Sequence, residues 1–209
     1  DERLLIAGAL GFFSAMTGNV DAFHRYAELL ERGANQSARA PFSRLLAALV
    51  QAMYRWYAED PFRGEEAAEA GLALADELGI HSLDFMFILM ATYACHAAGQ
   101  HERAGRYMQR IPLAITQERR TFYGNYLWLL GWDELLRGQS QAALRYFSAC
   151  TDMAEEVGMP YATCQAWYGR AQAELHCGDL PGARNAAHIS LMLSERYGFR
   201  PFRALSLLT

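Results

Sequence analysis

An all-α fold made of repeated antiparallel helix pairs is what this 209-residue chain predicts, and three observations carry the expectation. Helix-breaking turns recur on a common grid: Gly99, Gly138 and Gly178 stand 39 and 40 residues apart, each followed five residues later by an alanine, Ala104, Ala143 and Ala183. A second set of glycines, Gly79, Gly158 and Gly198, closes Ala75-Asp76-Glu77-Leu78, Ala154-Glu155-Glu156-Val157 and Ser194-Glu195-Arg196-Tyr197, where a C-terminal helix cap belongs. Between these marks the segments have helical rather than alternating periodicity and are rich in Ala, Leu, Met and Glu. A lone hairpin cannot hide its apolar side, so neighbouring hairpins must share one core; the expected architecture is a right-handed α-solenoid of about five repeats of ~40 residues. All of 1–209 is expected to form that single repeat domain.

The elements follow from the turns in order. Gly18-Asn19-Val20-Asp21 separates helices at 3–17 and 20–33. Ala58-Glu59-Asp60-Pro61 breaks 38–58 from 64–78, at the node where the grid lacks a glycine. Gly99-Gln100-His101-Glu102 divides 82–98 from 101–111, and Gly138-Gln139-Ser140-Gln141 divides 118–137 from 140–157. Gly178-Asp179-Leu180-Pro181 divides 161–177 from 181–197, and a last helix begins near Pro201. The apolar run 4–15 follows Asp1 and Glu2 rather than a basic stretch and reads as an opening helix. The uncharged run 85–101 contains Thr92, His96, Gln100 and His101 and is too short and polar to span a bilayer. Leu4, Leu5 and Ile6 open the chain and Phe202, Leu205, Leu207 and Leu208 close it. Repeat arrays need polar caps, so the chain is expected to be a segment of a longer protein.

Composition narrows the chemistry. With 52% hydrophobic residues, disorder is excluded, and a net charge of −4 gives no general attraction to nucleic acid or an acidic membrane. All 19 basic residues are arginine. A chain without lysine supplies no Walker-type phosphate lysine, Schiff-base lysine or lysine general base. The cysteines Cys95, Cys150, Cys164 and Cys177 are scattered with no CxxC pair, which fits a reducing cytoplasm. Cys95-His96 and His176-Cys177 are adjacent on helices and point about 100° apart, so no metal site is expected. No glycine-flanked nucleophile, HExxH or tight carboxylate pair can be assembled, and Glu65-Glu66 and Glu155-Glu156 read as exposed neighbours. The expectation is a non-catalytic protein that uses no cofactor.

Leu127, Leu130 and Gly131 precede the Gly138 turn and Ala143, Phe147 and Cys150 follow it; Trp167, Ala171, Gly178, Ala183, Ala187 and Ser190 take the equivalent places in the next unit. This pattern resembles the tetratricopeptide repeat, although the period exceeds that family's usual 34 residues. The longer unit, alanine-rich second helices ending in Leu/Val-Gly and the all-arginine basic set resemble the sensor region of MalT-like, ATP-dependent, LuxR-family bacterial transcriptional regulators. The resemblance implies a signalling ATPase before such an array and a helix-turn-helix after it. This chain carries no glycine-rich phosphate loop, recognition helix or basic stripe, so neither ATP hydrolysis nor direct nucleic-acid binding is expected of it.

In a superhelical stack the first helix of each pair lines the concave side, and its groove-facing residues recur at i, i+4 and i+8. The rows are Gly8, Phe12, Met16; Val50, Tyr54, Ala58; Leu89, Tyr93, Ala97; Trp128, Trp132, Leu136; and Tyr168, Gln172, His176, with His96, Asn125 and Gln165 at the margins. An aromatic floor with amide edges suits a neutral polar ligand such as a sugar, or an apolar peptide, better than a phosphate. Aromatic residues at this spacing equally fit ordinary core packing, and His96 and His176 fit structural histidines. Trp167 reads as core. Arg119-Arg120 and the row Arg103, Arg106, Arg110 read as solvated faces. The expected function is a sensing domain that binds a small-molecule inducer or a regulatory protein and sets the state of a transcriptional activator. The alternatives are a stand-alone scaffold for a protein or peptide, and a homodimer formed through the apolar ends. No membrane contact is expected.

Overall fold

The computed structural model describes residues 2–34, 41–58, 60–114, 120–199, 203 and 206–207. They form ten helices, α1 (Glu2–Thr17), α2 (Val20–Ala34), α3 (Pro41–Ala58), α4 (Pro61–Leu78), α5 (Asp84–Ala97), α6 (His101–Ala114), α7 (Arg120–Leu136), α8 (Ser140–Val157), α9 (Pro160–His176) and α10 (Leu180–Tyr197). No strand occurs among the described residues. The all-α helical repeat is therefore what the turns foretold. The beginnings predicted at 38 and 118 and the last helix's start at Pro201 lie outside the described residues, while Arg203, Ser206 and Leu207 are helical.

The repeated turn is one hydrogen-bonded motif. The glycines Gly18, Gly79, Gly99, Gly138, Gly158, Gly178 and Gly198 all have φ between +65° and +81°. In each case the next residue donates its N–H to the carbonyl five positions back, as in Gln100 to Cys95, Gln139 to Glu134 and Phe199 to Ser194, all at 2.8 Å. This is the Schellman termination, which satisfies helix-end carbonyls and needs a left-handed residue that only glycine adopts without steric cost. Three of the opposite ends are capped by side chains: Asn19 accepts from the Ala22 N–H, Asp60 from Arg63 and Asp179 from Gly182, whereas α5, α8 and α9 begin without a side-chain cap. The second pair departs from expectation here. Pro61 does not exclude its neighbours from α4 but opens that helix, because the first turn requires no proline N–H.

The chain divides into two compact units, Asp1–Ala114 and Ile115–Thr209. In the first, α1–α2, α3–α4 and α5–α6 are the hairpins; α3 packs on both α1 and α2, and α5 on both α4 and α3. In the second, α7–α8 and α9–α10 are the hairpins, and α9 packs on both α8 and α7. Each hairpin thus covers the apolar side of the one before it within its unit, the packing of a solenoid repeat.

Large side chains seat on glycines at these contacts. Phe147 of α8 is wholly buried, and a Cβ on Gly131 of α7 or Gly169 of α9 would come within 2.6 Å or 2.5 Å of its ring. In the first unit Phe87 of α5 occupies the space a Cβ on Gly71 of α4 would need, and Leu46 of α3 that of Gly8 on α1. Helices therefore approach closely where a glycine faces a bulky partner. Among the described residues, no helix is long and apolar enough to cross a membrane.

Urea unfolding checks this packing. Phe147→Ala, which empties a site closed on both sides, is expected to lose about 3–5 kcal/mol. Gly131→Ala and Gly169→Ala are each expected to lose about 1–3 kcal/mol by overpacking. Gly105→Ala on α6, where a Cβ meets nothing within 4 Å, is expected to gain about 0.5–1 kcal/mol from helix propensity alone.

Candidate functional site

Within the second unit, α7 and α9 lie side by side and bring three of the predicted rings together. Trp132 is the hub: its ring centroid is 5.6 Å from Trp128, 6.0 Å from Tyr168 and 5.8 Å from the buried Phe147. These contacts are edge-on or tilted, the arrangements that the ring quadrupoles favour. The Trp128 indole N–H donates to the Gln165 carbonyl of α9 at 3.2 Å and ties the two helices. Trp128, Trp132 and Tyr168 are each half-buried, with Gln172 half-buried one turn beyond Tyr168. One side of the cluster packs on Leu135, Ala143, Phe147 and Ala173, while each residue keeps surface in solvent. The Trp132 indole nitrogen is buried without an acceptor. Burial pushes the Tyr168 phenol above its ordinary range, so it stays a neutral donor.

The remaining predicted residues divide. Gln165 is 4% exposed, a core residue of α9 rather than a margin residue, because its position faces inward between helices. Asn125 is half-buried on α7. In the first unit Tyr93 of α5 lies 5.7 Å from the Trp56 ring of α3, and His96 is half-buried one turn further along α5. Tyr54 instead meets α2, with its ring edge-on to Phe23 at 5.5 Å and its hydroxyl hydrogen-bonded to His24 Nδ1 at 2.6 Å. Phe12 is half-buried on α1. Trp167 is not a pure core residue: it packs on Ala171, Ala186 and Ala187, but its indole N–H donates to Glu155 at 3.1 Å and the Arg170 guanidinium lies over its ring at 4.9 Å.

A polar cluster in the first unit escaped the sequence reading. Glu65 of α4 is not an exposed neighbour of Glu66; it is 4% exposed, and its Oε1 accepts from Arg103 of α6 at 2.7 Å and from the Tyr107 hydroxyl at 3.1 Å. The Tyr107 hydroxyl also contacts Glu69. Two carboxylates, one turn apart, therefore do share a partner. The buried Tyr107 phenol is held far above its ordinary range, first by burial and then by the hydrogen bond to Glu69. Arg103 compensates the buried Glu65 charge, and the arrangement joins α4 to α6. The Glu65 charge is thereby satisfied, which is the condition for burying a carboxylate at all.

Three cysteines are packing residues. The Cys150 thiol donates to the Gly124 carbonyl and the Cys164 thiol to the Ser190 carbonyl, both at 3.2 Å. Burial raises the Cys150 thiol from 9.0 to about 12 and Cys164 to about 11; burial, reinforced by Glu65, raises Cys95 to about 12. Compared with models of known families and with curated proteins, the sequence matches none.

Two measurements check these assignments. Ellman titration of the native chain near neutral pH is expected to find Cys177, the only cysteine with appreciable exposure, reacting fast, and the other three only on denaturation. For Cys150 the folded pKa lies above the unfolded one, so its contribution is complete below about pH 9 and is lost as pH rises toward 12; the unfolding free energy is expected to fall across that window, and less so in C150A. Arg103→Ala, which strands the Glu65 carboxylate, is expected to lower the urea unfolding midpoint clearly, whereas Arg106→Ala is expected to leave it nearly unchanged.

Proposed function

We propose that this chain is the sensing domain of a MalT-like, LuxR-family transcriptional activator. Its first-helix face binds an inducer or a regulatory protein, and that binding shifts the activator between resting and active states in the cytoplasm. A ligand moves such an equilibrium only by preferring one state. On this reading the segment performs no catalysis and binds neither nucleic acid nor membrane itself.

The observation that supports the reading is the ring cluster of Trp128, Trp132 and Tyr168 on adjacent first helices, half in solvent and carrying no charged side chain of its own. Rings with exposed faces take the apolar face of a sugar or a flat neutral metabolite, and the neutral Tyr168 hydroxyl and the Gln172 amide provide directional partners. The repeat resemblance given by Gly131, Gly138, Ala143, Ala171, Gly178 and Ala183 supports the family assignment. Isothermal titration of the chain with a panel of neutral sugars and ring-bearing metabolites tests the proposal. Saturable binding by at least one compound is expected, weakened about tenfold or more by Trp128→Ala, since truncating an aromatic anchor commonly removes 1–2 kcal/mol or more. Absence of heat from every compound contradicts a small-molecule inducer.

A further inference from the structure

On the other helices of the first unit, α6 presents three arginines on one face, Arg103, Arg106 and Arg110, at spacings of three and four residues. With Glu69 and Tyr107 they line a cleft of about 220 Å³. Their circumstances differ. Arg103 is anchored to the buried Glu65 at 2.7 Å, and Tyr107, itself 6% exposed, is held by Glu65 and Glu69. Arg106 and Arg110 are exposed and have no carboxylate partner among the described residues, although Glu102 stands one turn before Arg106 on the same helix. Elsewhere Arg32, Arg137 and Arg170 each reach a carboxylate one turn away, at 2.6, 3.0 and 2.8 Å.

Like charges at i and i+4 on a helix repel, and a shared counter-ion between them relieves the repulsion. Guanidinium forks match the two oxygens of a carboxylate or phosphate. The cleft has a fixed floor, because the Tyr107 hydroxyl and Arg103 are already engaged. Arg106 and Arg110 line it with two uncommitted forks, and the Glu69 carboxylate in the same lining limits how much negative charge the cleft takes. The fit is one compact oxyanion rather than a polyanion.

We propose that this α4–α6 cleft is an oxyanion-binding site, in which Arg106 and Arg110 clasp the single carboxylate or phosphate group of a small ligand beside the Glu65-anchored Arg103. The site is separate in chemistry from the uncharged ring face and does not depend on the sensing role proposed above.

Calorimetric titration of the chain with inorganic phosphate and, separately, with acetate, at constant ionic strength made up with sodium chloride, tests it. Saturable binding of at least one anion is expected, weakened about tenfold or more in R106Q/R110Q, which removes two charge-assisted donors. The preferred anion distinguishes a phosphate-bearing ligand from a carboxylate-bearing one. On the unmutated chain, the same anion is expected to protect Arg106 and Arg110 from phenylglyoxal, read by peptide mass mapping. No saturable binding of either anion, undiminished binding by the double variant, or modification of both arginines regardless of anion overturns the proposal.

Discussion

The second unit turns on a phenylalanine ring held between two glycines. Phe147 projects from α8 into the space that Gly131 leaves on α7 and Gly169 leaves on α9, and it is wholly buried there. Interiors are packed to the density of organic crystals, so one methyl group on either glycine must displace the ring or the helix. The ring thereby sets how closely three successive helices approach. Trp132 rests edge-on against the same ring and meets Tyr168 across the α7–α9 contact. The candidate binding face therefore inherits its geometry from the core beneath it. Phe87 against Gly71 and Leu46 against Gly8 repeat the device in the first unit.

Polar chemistry is distributed by the same economy. The buried carboxylates among the described residues each reach an arginine: Glu65 takes Arg103 and also Tyr107, Glu174 takes Arg170 at 2.8 Å, and Asp133 takes Arg137 at 3.0 Å. The buried thiols donate to backbone carbonyls and are held protonated. Groups so committed stabilise helix contacts. Among the described residues, the uncharged half-exposed rings and the Arg106 and Arg110 guanidiniums are two surfaces suited to recognition.

The periodic turns were legible because a Schellman ending needs a left-handed glycine and an αα-hairpin needs such an ending at a regular interval. One local rule misled: Pro61 reads as a breaker, yet it opens α4 because Asp60 caps the helix and accepts the Arg63 N–H. The site was less legible for a different reason. Glu65 looks like half of a solvated Glu-Glu pair until Arg103 and Tyr107 arrive from α6, and no local spacing announces a partner on another hairpin. Gln165 and Trp167 show the same limit, since two residues on nearly opposite sides of one turn of α9 face core or edge according to how α8 and α10 press on them. The aromatic row was found because helical periodicity places Trp128 and Trp132 one above the other. Tyr54 followed the same period but turned toward His24 and Phe23 of α2, a choice made by packing.

A double-mutant cycle on Phe147 and Gly169 tests the interlock most directly. If the ring occupies the space that glycine vacates, the penalty of G169A measured by urea unfolding disappears in the F147A background, with a coupling of about 1–3 kcal/mol. Strict additivity of the two losses would contradict the account, since it would mean that ring and glycine do not share that space.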